Sequence, residues 1–328
     1  MLSKKILMGT VALISAVSMT TIGATLQKPL KSGFMVGLDG GFFQQSDEGT
    51  EYAVVDSSAS TATPPVGPVK TINPNFEFSG GGFIGYLFKN KTDVAFSFFI
   101  NDHSKTNFVG EGSGQHIDPI LLHTFWGVDD ANSASSKFSY KTNLYNILMG
   151  HWIALSNRLD VHPFWGVNVS DLHNGQETTY DGISGNAAQS GTVFENSSVT
   201  GVGPVIGVNG HYDVWKHIGI VWGGDIGMLV GNIKSSFLTT NNFAQSNPNL
   251  TETTNLSIFE LMQAQLGLGY QFAVKQTPVQ FSAGYRVTEY LGATQSHVLG
   301  DDVADGFSQH FLEDSGFSGP FMSLSAVI

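Results

Sequence analysis

The feature that most constrains the fold is a pair of long alternating runs near the C-terminus, in residues 255–293. In the first run an apolar set that includes Leu266 and Tyr270 alternates with a polar set that includes Gln263 and Gln265. The alternation resumes after the break VKQTP, and a two-residue period on both sides of a short break predicts an antiparallel hairpin. These strands exceed the usual length of about five or six residues in a soluble sheet. One apolar face and one polar face are typical of a transmembrane β-barrel, although a hairpin of a large soluble sandwich also alternates.

The same alternation recurs along the chain and predicts an all-β protein, an antiparallel up-and-down transmembrane β-barrel of about ten strands. The orientation of two of these strands, 137–151 and 198–213, stays open because apolar residues occupy both their odd-numbered and their even-numbered positions. The predicted strands are 33–45, 75–89, 92–103, 137–151, 157–171, 198–213, 216–236, 256–274, 277–294 and 316–328.

Short and long connections between these strands alternate strictly. The short ones fall at 89–91, around Ser156, at 214–216 and at 274–278. The long ones are polar and rich in Gly, Ser, Asn and Asp, and they cover 46–74, 104–136, 172–197, 237–255 and 295–315. Outer-membrane barrels have short periplasmic turns and long extracellular loops, and a soluble sandwich has no reason to sort its loops in this way. An even strand number then places Gly33 and Ile328 together at the periplasmic end.

The N-terminal segment predicts export. Lys4 and Lys5 precede an apolar run from Ile6 to Met19, and Ala24 follows at the expected cleavage point. We therefore expect a signal peptide in residues 1–24 and one barrel domain in residues 25–328. Its removal takes away two lysines and no acid, so the net charge changes from −12 to −14. So acidic a chain is not expected to bind nucleic acid.

Aromatic residues near the predicted strand ends suggest interfacial girdles. The segment TATPPVGPVK, residues 61–70, is interpreted as a stiffened surface loop. The predicted girdle residues are Tyr86, Phe88, Tyr140, Trp152, Trp215, Tyr270, Phe272 and Tyr290.

Three segments carry a family resemblance: GVGPVIGVNGHYDVWKHIGIVWGGDIGMLVGNIKSSF at 201–237, NLYNILMGHW with the following RLDVHPFWGVNVSDLHNGQET, and GFSGPFMSLSAVI at 316–328. They resemble the Legionella major outer membrane protein family, in which a "GP" begins a strand, a glycine-rich strand follows and a "GPY" element opens the last strand. Gly203-Pro204, the segment from Gly219 to Gly231 and Gly319-Pro320-Phe321 stand in those places. The resemblance implies an outer-membrane β-barrel with a porin-like or surface-adhesion role. Members of that family use cysteines for disulfide cross-linking. This chain has none, so a disulfide-linked oligomer is not expected.

Parity also predicts which polar side chains face the lumen. Arg286 buried there is costly unless it is paired, so we expect a carboxylate partner, with Asp225 favoured and Glu77 next. The set acts either as a polar network that holds the wall together or as a charged constriction. A barrel of about ten strands favours the network, since open aqueous channels belong to about sixteen strands. The predicted lumen residues are Asp39, Glu77, His162, Asn168, Asp225, Gln263, Gln265, Gln280 and Arg286.

Catalysis and metal binding are weakly indicated. Asp102 and His103, and Asp171 and His173, end two strands at the outer side, where an outer-membrane protease of the omptin kind holds its catalytic groups. No omptin motif accompanies them, so no enzyme activity and no catalytic residue are predicted. The histidines are scattered, and Asp301, Asp302 and Asp305 are interpreted as a solvated loop. No metal site and no cofactor are predicted.

Two functions remain open for such a barrel in the Gram-negative outer membrane. One is porin-like passage of small solutes or ions. The other is a non-conducting structural or adhesive role, with long loops that bind host or environmental molecules. The expected partners are outer-membrane lipid and lipopolysaccharide, together with small solutes or host surface molecules.

Overall fold

The computed structural model describes residues 32–47, 49–56, 67–112, 115–122, 130–243, 249–299 and 308–328. The predicted signal peptide, residues 61–66 of the proline-rich segment, His123, and the loop carboxylates Asp301, Asp302 and Asp305 lie outside these ranges. Within them, no helix has the length and apolarity that a membrane crossing requires.

The described chain is almost entirely β-strand, with a single 3-10 turn at Ile183–Gly185. The strands are β1 Gly33–Asp47, β2 Glu51–Asp56, β3 Val69–Thr71, β4 Glu77–Leu87, β5 Thr92–Gly110, β6 His116–Pro119, β7 Ser133–His151, β8 Ile153–Ala154, β9 Leu159–Asp181, β10 Ser190–Trp215, β11 Ile218–Asn241, β12 Asn249–Val274, β13 Thr277–Leu299 and β14 Ser308–Val327.

Ten long antiparallel strands form a closed barrel. Neighbours in sequence pair in turn from β9 through β14, β14 pairs with β1, and β1 continues through β4, β5 and β7 back to β9. The closure is sealed by the backbone bonds from Phe34 N to Ile328 O at 3.0 Å and from Ile328 N to Phe34 O at 2.8 Å. The short β8 adds to the edge of β9. The predicted antiparallel barrel of ten strands is confirmed, and the two ends of the barrel domain meet at the short-turn end.

Side chains alternate between the outer face and the lumen as the hairpin pattern predicted. Leu266 and Leu268 are 63% and 62% exposed, whereas Gln263 and Gln265 are buried. The structure also resolves the orientation of the two ambiguous strands. In β7 Ile147 faces outward, and in β10 the even-numbered residues do so.

The outward apolar residues form a band near the short-turn end. On β9, for example, Trp165, Val167 and Val169 are exposed, and the outward residues beyond them are Asp171 and His173. Such a band matches the lipid-facing zone of a membrane barrel.

The aromatic residues predicted as girdles divide into two groups. Tyr86, Phe88, Trp215, Tyr270 and Phe272 are exposed close to the short-turn end. The prediction is wrong for Trp152, Tyr140 and Tyr290, which are buried inside the barrel. These three have the inward parity, which proximity to a strand end could not reveal.

The strands at the loop end are longer than the sequence predicted. Much of the segments interpreted as loops is strand, so the connections 182–189, 242–248 and 300–307 are short. From Val169 to Asp181, β9 continues for twelve residues beyond the apolar band, which at about 3.3 Å per residue and a tilt of about 40° raises the wall by roughly 30 Å. Both faces of these strand ends carry polar side chains, so apolar and polar residues do not alternate there as they do in the membrane-spanning part.

A second sheet fills the loop end of the barrel. It consists of β2, β3 and β6 in the order β3-β2-β6 and is called the mouth sheet here. It comes from the two longest connections, those between β1 and β4 and between β5 and β7. Its apolar side chains form one core with inward side chains of the barrel wall; the shared members include Tyr52, Ala53, Val55, Ile72, Ile117, Phe138, Tyr180, Val193 and Phe237.

Candidate functional site

The central feature of the lumen is an ion pair between Arg286 on β13 and Asp39 on β1. Arg286 Nη1 donates to Asp39 Oδ2 at 2.5 Å, and Nη2 donates to Asp39 Oδ1 at 3.0 Å. Nε and Nη2 also donate to Gln265 Oε1 at 3.2 and 3.0 Å. A bidentate contact of this kind is the strong geometry for a guanidinium and a carboxylate. The Arg286 side chain is 6% exposed and that of Asp39 is 14% exposed, so the pair lies inside the barrel.

Aromatic rings surround this ion pair. The guanidinium carbon of Arg286 lies 4.8 Å from the centre of the Phe321 ring, 5.7 Å from that of Phe99 and 5.9 Å from that of Phe43. Phe99 stacks on Phe317 at 5.5 Å. Rings attract a cation through their faces and exclude water around it, which strengthens its attraction to Asp39. The ion pair and the ring cage therefore fill the part of the lumen that lies against β13, β14, β1 and β5.

The partner of Arg286 differs from the residue that the sequence favoured. Asp225 was preferred because it lies one hairpin away, but the ion pair is made with Asp39. Arg286 pairs in register with Gly319, which has no side chain, and β14 then pairs with β1. The guanidinium reaches over Gly319 to the strand that closes the barrel. This neighbour is 247 residues away in sequence, so local spacing could not identify it.

The other predicted lumen residues fall into separate places. Asp225 is buried opposite Gln263 in the pairing of β11 and β12. Glu77 lies at the loop side, near His103, and not at the ion pair. Gln280 donates to Ser282 Oγ at 3.2 Å near the short-turn end.

His162 belongs to a second buried pair. Its Nε2 lies 2.7 Å from Asp93 Oδ2, and both side chains are 2% exposed. The imidazole stacks on Trp152, with ring centres 4.2 Å apart. Gly150 leaves the space that the ring occupies, since a Cβ there would come within 2.1 Å of His162 Nε2. Asp93 could not be predicted as the partner from the sequence, because it lies on β5, a strand that is not next to β9.

A polar chain links the wall strands across the lumen. Asn168 donates to Asn146 Oδ1 at 2.7 Å, and Asn146 donates to Ser97 Oγ at 3.2 Å. Ser170 donates to Asn168 Oδ1 at 2.6 Å and lies 3.3 Å from the Tyr290 hydroxyl. Asn168 alone among these was predicted for the lumen. Beside the chain, a cavity of about 40 Å³ is lined by Asp39, Ser97, Asn146, Gln263, Arg286 and Thr288.

The mouth sheet is anchored to the wall by hydrogen bonds as well as by its core. The buried Tyr180 hydroxyl donates to Tyr52 O and accepts a bond from Leu121 N at 3.3 Å. Asn107 Nδ2 donates to Thr71 O at 3.1 Å. These bonds join β2, β3 and the segment after β6 to β9 and β5. The mouth sheet is thus tied to the wall on the extracellular side of the lumen.

Acidic residues surround His297 near the loop end, beyond the apolar band. Glu195 accepts a bond from His297 N at 2.8 Å, and Glu252 Oε2 lies 3.5 Å from His297 Nε2. The pKa of Glu195 is raised to about 7, mainly by burial; the hydrogen bond from His297 N lowers it and the nearby Glu313 carboxylate raises it. Sequence reasoning missed this cluster because its members were assigned to loops or to loop borders.

The histidines and carboxylates considered for catalysis lie on opposite faces of the wall. His103 is buried, and its Nε2 lies 2.8 Å from Ser79 Oγ in the interior. His173 faces outward, 3.4 Å from Asp171 Oδ1. The wall therefore separates His103 from Asp171 and His173, and also from its neighbour Asp102, which is exposed on the outer face. Among the described residues, no three His, Asp or Glu side chains are arranged to hold a metal ion.

Several solved structures of outer-membrane proteins match the chain at very low identity. The outer membrane protease OmpT of Escherichia coli is 9% identical, over 92% of this chain and 99% of that chain, with a TM-score of 0.43. A FadL homologue of Pseudomonas aeruginosa is 7% identical, over 90% of each chain, with a TM-score of 0.30. The toluene transporter TodX of P. putida is 8% identical, over 92% and 91%, with a TM-score of 0.27. At these TM-scores none of the three supports a functional argument.

No curated protein is significantly similar to the chain. The model of the family described as Legionella pneumophila major outer membrane protein precursor matches residues 28–328. This match covers all ten barrel strands and both long connections. The protein therefore belongs to the Legionella major outer membrane protein family and is a β-barrel of the outer membrane.

Proposed function

We propose that this protein is a structural surface barrel that does not conduct in its resting state. The observation that supports the proposal is the packing inside the lumen, where Arg286, Asp39 and the rings of Phe43, Phe99 and Phe321 meet at membrane level. Barrels of this size are expected to be filled by side chains, whereas water-filled channels occur at about sixteen strands.

The extracellular half supports a surface role. The wall rises well beyond the lipid band, and its outward positions there carry polar side chains such as Lys137, Lys141 and His173. A raised, polar and rigid rim presents the loops at a distance from the membrane. Host or environmental molecules are the partners that such a rim would contact. A catalytic role is not proposed, since the wall separates His103 from Asp171 and His173.

Porin-like passage is the second candidate, and one observation favours it. The mouth sheet comes from connections between strands and is held in part by hydrogen bonds such as that of Asn107 to Thr71 O. A segment of this kind can move without opening the barrel wall. Passage would then require both its displacement and a rearrangement of the Arg286 pair.

Planar-bilayer conductance of the refolded protein tests the two candidates. We expect no reproducible channel steps from the native chain. A variant in which a short Gly/Ser linker replaces residues 49–76 removes β2 and β3 and isolates the contribution of the ion-pair level. We expect it to remain closed, because the ion pair and rings persist.

Heat-modifiable migration on gels and circular dichroism verify that each variant is a folded barrel. Channel steps from the native chain would contradict the proposal and support a porin. Steps that arise only in the linker variant would support a porin gated by the mouth sheet. A linker variant in which Arg286→Ala is added shows whether the pair itself sets the conductance.

A further inference from the structure

Exposed cations surround the periplasmic end of the barrel. Each of the four short turns carries at least one, and the set is Lys89, Lys91, Arg158, Lys216 and Lys275. Two nearby acidic side chains are paired with histidines: Asp93 pairs with His162 inside the lumen, and Asp213 Oδ1 lies 2.9 Å from His211 Nε2. The rim therefore presents positive charge to the level of the lipid headgroups, although the chain as a whole is acidic.

An apolar groove of about 940 Å³ begins at Lys275 and crosses the outer face. Its floor contains Ala326 and Gly82, which lack long side chains, and its sides include Leu38, Ile84 and Phe98. The depression exists because small residues stand where neighbouring positions of the lipid face carry Leu, Ile or Phe.

Strand register shows how far the lining of the groove extends around the barrel. One row of paired residues runs from Val279 to Ala326, Val36, Ile84 and Phe96. It spans five strands, and four strand spacings of about 4.8 Å give a length of roughly 19 Å. Because strands and rows are tilted in a barrel, the groove rises from the headgroup level at Lys275 into the hydrocarbon.

We propose that the groove and Lys275 form a specific site for an anionic phospholipid. An occupant must be long and apolar, lie within the membrane and carry negative charge at its periplasmic end. A phospholipid with an anionic phosphate headgroup has these three properties. A second copy of this chain offers charge of the same sign at the same level and fits less well. The site is independent of whether the lumen conducts.

Native mass spectrometry of the delipidated protein in detergent tests the proposal. Phosphatidylglycerol is titrated against phosphatidylcholine with the same acyl chains. Since one basic side chain near an anionic surface is worth about 1 kcal/mol, we expect the native chain to prefer phosphatidylglycerol by roughly fivefold. Lys275→Gln abolishes this preference. Arg158→Gln, a matched loss of charge in another turn, retains it. Ala326→Leu fills the floor and weakens the binding of both lipids.

Three results would overturn the site. The first is equal binding of both lipids by the native chain. The second is a preference that survives in the Lys275→Gln variant. The third is competition by inorganic phosphate or by a soluble peptidoglycan fragment at the concentrations at which the lipid saturates the site. Either result would mean that the cations bind an anion that has no acyl chain.

Discussion

The interior of the barrel is filled in two different ways at its two levels. At membrane level, inward side chains of the wall meet one another. Arg286 meets Asp39 across the intervening β14, and Ser170 on β9 meets Tyr290 on β13. At the extracellular level the mouth sheet enters the lumen, and residues such as Ile72 pack against apolar wall residues such as Phe237.

The two levels differ because the inward side chains find different neighbours at each level. A polar group inside a barrel must find a partner, and at membrane level the inward polar side chains of the wall supply it. Where a separate sheet occupies the lumen, apolar surfaces face each other and form an ordinary two-layer core. The membrane level should therefore depend on pairing, and the extracellular level on packing.

The largest expected effect is at the ion pair. Asp39→Ala leaves Arg286 buried without its carboxylate, which should cost about 3–5 kcal/mol in the free energy of unfolding. Urea unfolding in detergent, followed by tryptophan fluorescence, measures it. The double variant with Arg286→Met should regain most of the loss, and Asp102→Ala, at an exposed position, serves as the control. A loss below about 1 kcal/mol would mean that Gln265 and the rings suffice for the guanidinium.

Removing packing at the extracellular level should act on the mouth sheet first. Ile72→Ala, at a buried position, should weaken the sheet by about 2–4 kcal/mol, because buried methyl groups are lost and a cavity remains. Limited proteolysis between β1 and β4 should accelerate, while the barrel keeps its heat-modifiable migration. Val69→Ala, an exposed position in the same sheet, provides the matched control. If both variants are cleaved at the same rate, packing does not hold the sheet.

A smaller effect is expected at the hydrogen bonds of Tyr180. Tyr180→Phe keeps the ring in the core but leaves Tyr52 O and Leu121 N without this partner, at a cost of about 1–3 kcal/mol. Amide exchange of β2 and of residue 121 should rise. Tyr212→Phe, on the exposed face, should leave it unchanged. Unaltered exchange in the Tyr180 variant would show that water replaces the hydroxyl.

The smallest effect concerns pH at Glu195. Its pKa in the folded protein is raised to about 7 from the ordinary value of 4.5, so between these pH values the folded state binds more protons than the unfolded state. The contribution is therefore most favourable below pH 4.5 and is lost as the pH rises to about 7. Because the side chain is partly exposed, we expect about 1 kcal/mol or less.

Amide exchange of the strand ends around His297, compared at pH 5 and pH 8 after correction for intrinsic rates, measures this dependence. Protection should be greater at pH 5, and Glu195→Gln should remove the difference. Because Glu313 is the neighbouring charge, Glu313→Gln should reduce the difference without removing it. Greater protection at pH 8 in the native chain would contradict the assignment.

Alternation predicted the membrane level well, because lipid on one side and a polar lumen on the other impose a strict period of two. Gln263, Gln265 and Arg286 were placed inward from parity alone, and the structure has them there. At the extracellular level the outer face meets water, so both faces can carry polar residues and the pattern weakens. Strand residues such as Gln176 and Glu195 were accordingly interpreted as loop.

The sequence by itself determined an even-stranded outer-membrane barrel, its lipid face and the need of Arg286 for a carboxylate, since each depends on local periodicity or on the cost of a buried charge. Only the tertiary structure decided that Asp39 is the partner, that His162 meets Asp93 and that β2, β3 and β6 enter the mouth. The physical reason is closure. Bending the sheet until β14 pairs with β1 brings together side chains that are distant along the chain. The width of the lumen at each level then decides whether wall side chains or the mouth sheet occupy it.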